Sequence, residues 1–175
     1  GLREAKSGNW EKANDAFGKL PQSQLNQILS PLILGWTSIA KGKVDLGVTS
    51  FSKISEKEGF EILGLLHLGL GYQIAGEVQK ADAAFEKALL HDTVPPDRLK
   101  ISTAAHYARS ARLAQARKMV KRLTKNDVDA TVLNTILEEK TTLLNKEVFI
   151  TNAADGLAEA LFDISQALKN DLTDE

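Results

Sequence analysis

Three stretches decide the reading: GNWEKANDAFGKL at 8–20, GKVDLGVTSFSKI at 42–54 and GEVQKADAAFEKA at 76–88. Gly8, Gly42 and Gly76 stand 34 residues apart, and so do Phe17, Phe51 and Phe85. In each stretch a glycine that can take a left-handed turn is followed by a segment with helical apolar spacing. Five positions after the glycine comes a small residue, Ala13, Gly47 or Ala81, and four further on comes the Phe. A small residue at i and an aromatic at i+4 share one helix face, so a neighbouring helix can approach closely and receive the ring.

Working outward, SPLILGWTSIAK at 30–41 and ILGLLHLGLGYQIA at 62–75 precede the second and third glycines. Each carries a Leu-Gly pair, Leu34-Gly35 or Leu68-Gly69, eight and seven residues ahead of the turn, and Tyr72 lies four before Gly76. Each unit is thus two helices and a tight turn. A shift of 35 instead of 34 aligns a degenerate fourth unit: Tyr107 with Tyr72, Ala116 with Ala81, Val120 with Phe85 and Leu123 with Ala88. The extra residue falls in the loop around Val94-Pro95-Pro96-Asp97. With Ser110 and Ala111 near the missing glycine, helices are expected at 98–110 and 112–125, joined by a less sharply broken turn.

This pattern resembles the tetratricopeptide repeat, in which a large and a small residue in helix A, an aromatic near its end, a Gly turn, and Ala and Phe in helix B recur. The match is strongest over 62–89; Pro31 and Leu65 stand where the family has its helix-starting Trp. The chain also resembles the middle of long bacterial proteins built from many such repeats. The resemblance implies an all-α, right-handed superhelical stack of helix-turn-helix units over residues 1–175. Units are expected near 1–21, 28–61, 62–95 and 97–126, with further helices at 127–145 and 156–170. VDATVLNTILEEKTTLL at 128–144 breaks the period, and AEALFDISQAL at 158–168 resembles the opening of another helix A. Both ends fall inside repeats, so a fragment of a longer array is expected.

The 175 residues suffice to bury a core without staples, and the absence of Cys excludes disulfides and thiolate chemistry within them. Charges interrupt every apolar run well short of the ~20 residues a bilayer requires, so a soluble chain, cytoplasmic or periplasmic, is expected. Of three His, at 67, 91 and 106, no two stand four apart on a helix, and no metal ligand set forms. Glu138-Glu139 and Glu56-Lys57-Glu58 point in divergent directions from a helix and cannot flank one substrate atom. The glycines at 64, 69, 71 and 76 lie within or just after a helix and lack the preceding strand of a nucleotide loop. No catalytic residue, cofactor or metal is therefore expected, and the chain is read as non-enzymatic.

Helix A lines the concave surface of such stacks, as the resemblance implies. The groove candidates, at positions that avoid the packing within each pair, are Leu29, Leu32, Trp36 and Ile39 in the second unit and Leu63, Leu66, His67, Leu70 and Gln73 in the third; the competing reading of these leucines is plain core. This groove is apolar and lacks the Lys, Asn and Arg set with which some members of the family clamp a terminal carboxylate. It suits an amphipathic helix from a protein partner, from a second copy, or from the chain's own C-terminal segment.

Charge is uneven: residues 98–126 hold nine basic and no acidic groups, whereas 127–175 hold three basic and eleven acidic. Arg109, Arg112, Arg117, Lys118, Lys121 and Arg122 form a candidate basic patch for an acidic partner. Tyr107 alone cannot stack a series of bases, so nucleic acid is not the expected ligand. Acidic C-terminal helices packed on the fourth unit, through Val132, Ile136, Leu161 and Ile164, could instead neutralise it. The competing functional expectation is a structural spacer within a longer solenoid.

Overall fold

The computed structural model describes residues 2–19, 24–123 and 150–173. The described residues are helical, without strands: α1 (Leu2–Lys6), α2 (Trp10–Gly18), α3 (Gln24–Ala40), α4 (Val44–Ser55), α5 (Glu61–Ile74), α6 (Val78–His91), α7 (Asp97–Arg109), α8 (Leu113–Val120) and α9 (Ala153–Thr173). From α1 to α8 the helices described pack in chain order, each against the next, and α5 also touches α3 and α7. The expected helix at 127–145 lies outside the described residues.

The turns repeat one geometry. Gly8, Gly42 and Gly76 have φ of 75°, 73° and 78°, and the amide after each bonds back to a carbonyl five residues earlier: Asn9 to Glu4, Lys43 to Ser38 and Glu77 to Tyr72. The fourth turn does the same. Ala111 takes φ 60°, and the Arg112 amide bonds the Tyr107 carbonyl at 2.8 Å. The expectation of a softer break there is corrected: the hydrogen-bonded geometry of the hairpin imposes the left-handed residue, and an alanine accepts the strain.

The Phe positions explain the glycines. The Phe51 ring lies against Gly35 of α3 and Gly71 of α5, where a Cβ on Gly71 would meet Phe51 Cε2 at 3.0 Å. Phe85 lies against Gly69 of α5, where a Cβ would sit 2.9 Å from its ring, and its centroid is 5.0 Å from that of His106 on α7. Each ring thus wedges between two first helices, its own and the next, and both are fully buried. The Phe17 side chain lies outside the described ones.

Three boundaries differ from expectation. Helix α3 starts at Gln24, so Pro31 lies inside it; proline cannot donate to the Gln27 carbonyl, yet apolar residues on both sides of it, Ile28 and Leu32, are buried and hold the helix through. Helix α8 ends at Val120 instead of near 125. Helix α9 begins at Ala153, three residues before the expected start. Asn152 Oδ1 accepts the amides of Ala154 and Asp155 at 2.8 and 3.1 Å, while Asp155 Oδ2 accepts the Thr151 amide at 2.8 Å and also the Asn152 side-chain amide. This reciprocal cap fixes the start.

Candidate functional site

Helix α9 lies across α3 and α5. It does not extend the order of pairs, and its docking surface differs from the expected one: it packs chiefly on the second and third units, reaching the fourth through Arg98 and Arg109. The reason is shape and apolarity, because α3 and α5 present Trp36, Leu66 and Leu70 where the fourth unit presents a largely polar helix. Ala153, Leu157, Ala160 and Ile164 make the buried stripe of α9, with Leu161 half-buried beside it. Gly156 lies against the Trp36 indole so closely that any Cβ there would overlap Cζ3. Of the other residues expected on the docking face, Val132 and Ile136 lie outside the described ones.

Carboxylates flank this stripe. Glu159 receives both Nε and Nη2 of Arg98 in a bidentate pair, with the Glu159 side chain only 5% exposed. Arg98 also covers the Phe162 ring, its guanidinium carbon 5.5 Å from the centroid. One turn on, Asp163 Oδ2 stands 3.2 Å from His67 Nε2, off the line of a straight hydrogen bond. His67 is fully buried, and its Nδ1 accepts the Trp36 indole N–H at 3.2 Å. Because indole is only a donor, Nδ1 must be the acceptor, which puts the neutral ring's proton on Nε2 facing Asp163. Trp36, Phe51 and His67 form one aromatic cluster, with centroids 5.0 to 5.8 Å apart.

A second polar chain pins the segment leading into α9. The Ile150 carbonyl accepts Arg109 Nη1 at 2.8 Å and Gln73 Nε2 at 3.3 Å. Gln73 Oε1 faces His106 Nδ1 at 3.1 Å, and His106 Nε2 faces Asp82 Oδ1 at 2.8 Å. Arg112 grips both Asp82 oxygens at 2.7 and 2.8 Å and lies over the Tyr107 ring, 4.7 Å from its centroid. Burial pushes His106 below the ordinary histidine range; the attraction of Asp82 opposes this, and Arg112 and Arg109 reinforce it. Burial would raise Asp82, but hydrogen bonds from Arg112 and His106 outweigh it and hold the carboxyl below its usual range.

The groove candidates therefore divide. Trp36, Leu66, His67 and Leu70 are buried on the α3 and α5 helices that α9 covers, and Leu32 is fully buried. Ile39 instead wedges between α4 and α5, where a Cβ on Gly71 would meet its Cδ1 at 3.0 Å. Leu29 and Leu63 are half-buried against the core, and Gln73 serves the Ile150 carbonyl. Of the occupants the sequence left open, a partner, a second copy or the chain's own C-terminal segment, the last is the one seated on α3 and α5. Of the basic candidates, Arg109 and Arg112 bond within the chain, and Lys118, Lys121 and Arg122, with Arg117, have exposed side chains on α8 and just beyond.

Sequence reasoning missed Arg98, Gly156, Glu159, Asp163, Asp82 and His106 as a set. The available signal was Glu159 and Asp163 at i, i+4 beside an apolar stripe rich in small residues. Among the described residues no group of three His, Asp or Glu is placed to hold a metal ion, and no helix is long and apolar enough to cross a membrane. Comparison with protein-family models, with curated proteins and with solved structures finds no match to this chain.

Proposed function

We propose that this chain is a non-enzymatic protein interaction module: a stack of tetratricopeptide-like helix pairs whose face on α3 and α5 receives an amphipathic helix. The observation that carries the reading is α9 itself, an amphipathic helix seated on that face with Trp36 against its Gly156 and His67 beside its Asp163. The repeated left-handed turns at 8, 42, 76 and 111 and the Phe wedges at 51 and 85 support the repeat assignment. A face that already accommodates one helix by shape has the means to accommodate another of similar chemistry.

Selection from a displayed library of amphipathic helices, followed by hydrogen-exchange footprinting, tests this. The expected footprint is protection of α3 and α5 amides with faster exchange in α9. Failure to recover any binder, or binders that protect other faces, overturns it. A second reading, a spacer whose basic surface meets an acidic partner, is favoured only by the exposed Lys118, Lys121 and Arg122. Such binding would be strongly salt-dependent and indifferent to changes at Trp36.

A further inference from the structure

The α9 interface is built in an unusual way for a permanent part of a core. Among the described side chains of α9, the buried apolar stripe includes two alanines, Ala153 and Ala160, with Gly156 beside them, while Leu157 and Ile164 are its large buried side chains and Leu161 is half-buried. Small side chains remove little apolar surface from water, and the hold is correspondingly modest. Beside that modest hold stand polar groups: Glu159, buried and paired with the partly exposed Arg98, and the buried His67 between Trp36 and Asp163. Buried charge pairs contribute little net stability compared with apolar packing, but leaving either partner alone is costly, so they select register and partner. The angular arrangement makes this a code. Gly156, Glu159 and Asp163 follow one another at i, i+3 and i+7 along a single flank of the helix.

We propose that α9 is a tethered, exchangeable occupant, and that the groove's other ligand is a helix of a different protein bearing the same code. That code is glycine or alanine against Trp36, a carboxylate three residues later for Arg98, a second carboxylate seven residues later for His67, and apolar residues one and eight positions on. The inference rests on the helix-receiving reading above and adds the ligand's chemistry. Charge complementarity selects this ligand: Arg98 donates to Glu159, and Asp163 Oδ2 stands 3.2 Å from His67 Nε2, so both basic groups of the face have a carboxylate of the occupant beside them. A basic helix would set a cation against Arg98 and leave the guanidinium without its carboxylate, which selects against it.

The test uses the full chain and a fluorescein-labelled peptide of residues 150–173, read by anisotropy. Gly156→Leu in the chain drives a side chain into the Trp36 indole and releases the chain's own α9. The released chain should bind the peptide at least ten-fold more tightly than the wild-type chain does. A peptide with Glu159→Gln and Asp163→Asn should bind the released chain at least ten-fold more weakly, and Glu159→Arg in the peptide should be rescued by Arg98→Glu in the chain. If Gly156→Leu does not fold by circular dichroism, Glu159→Arg with Asp163→Lys in the full chain serves as the releasing variant. Equal binding of the acidic and amide peptides overturns the code while leaving a helix-receiving groove intact. No binding of either peptide to a folded, released chain takes down the groove reading itself. Equal affinity of wild-type and released chains overturns the exchange. A wild-type dimer that the peptide dissociates makes the occupant a second copy and overturns the assignment to another protein.

Discussion

At the scale of single residues, Ala111 holds a backbone conformation that the first three turns give to glycine. An alanine there carries ~1–2 kcal/mol of left-handed strain, partly offset by the smaller unfolded-state entropy of alanine. Ala111→Gly should therefore stabilise the chain by about 0.5–1 kcal/mol in urea denaturation. Phe85 is the opposite case, a filled position between Gly69 and His106. Phe85→Ala should cost ~3–5 kcal/mol, because the small neighbours cannot collapse into the space; an unchanged melting curve would contradict the wedge. His106 supplies a pH signature. Its folded-state pKa lies below the ordinary histidine value of about 6.5, so below that pH the unfolded chain takes up a proton that the folded chain resists. Its contribution is fully present above pH 6.5 and declines as the pH falls below it. Urea midpoints at pH 7.5 and 5.5 should show a larger acid loss for the wild type than for His106→Gln, whose amide cannot titrate.

At the scale of elements, α9 is held at its start by Asn152 and Asp155 and along its length by groups from α3, α5 and α7. Removing the cap should loosen the helix without altering its docking residues. Asn152→Ala leaves the amides of Ala154 and Asp155 unpaired and should cost about 1 kcal/mol, with exchange accelerated first in the opening turn of α9. A uniform acceleration along α9 would mean that the cap governs docking as a whole. Helix α5 reads as nearly apolar on all sides, with buried Gly64, Leu65, Leu66, His67, Gly69, Leu70 and Gly71. Its neighbours account for this, since α3, α4, α6, α7 and α9 all touch it.

For the whole molecule, that arrangement predicts a gradient of local stability. Opening α5 would disturb five neighbouring helices, whereas α1 rests on α2 and is five residues long. Native-state hydrogen exchange should find the slowest amides in α5 and the fastest among the described helices in α1. Equal protection of both would show that the chain opens only globally. The uneven charge of the sequence also resolves at this scale. Arg98 is met by Glu159 from α9, but Arg112 is met by Asp82 from α6, so only part of the basic segment is neutralised by the acidic C-terminal region among the described residues.

The sequence by itself determined the helices, the turn positions and the close approaches, because each rests on local chemistry: a left-handed residue at a fixed interval and a small residue opposite an aromatic. Even Ala111 was at the position the 35-residue shift marks; only its strained conformation needed the structure. What the tertiary structure alone decided is the fate of the groove. Trp36, Leu66, His67 and Leu70 were legible as a helix face, but an apolar face carries no record of what covers it. Glu159 and Asp163 have no local sign of their partners, because Arg98 and His67 lie far away in the chain. The pairing is non-local, so no periodicity encodes it. It exists only once α3, α5 and α7 have placed a donor at each point where the ninth helix turns an acid inward.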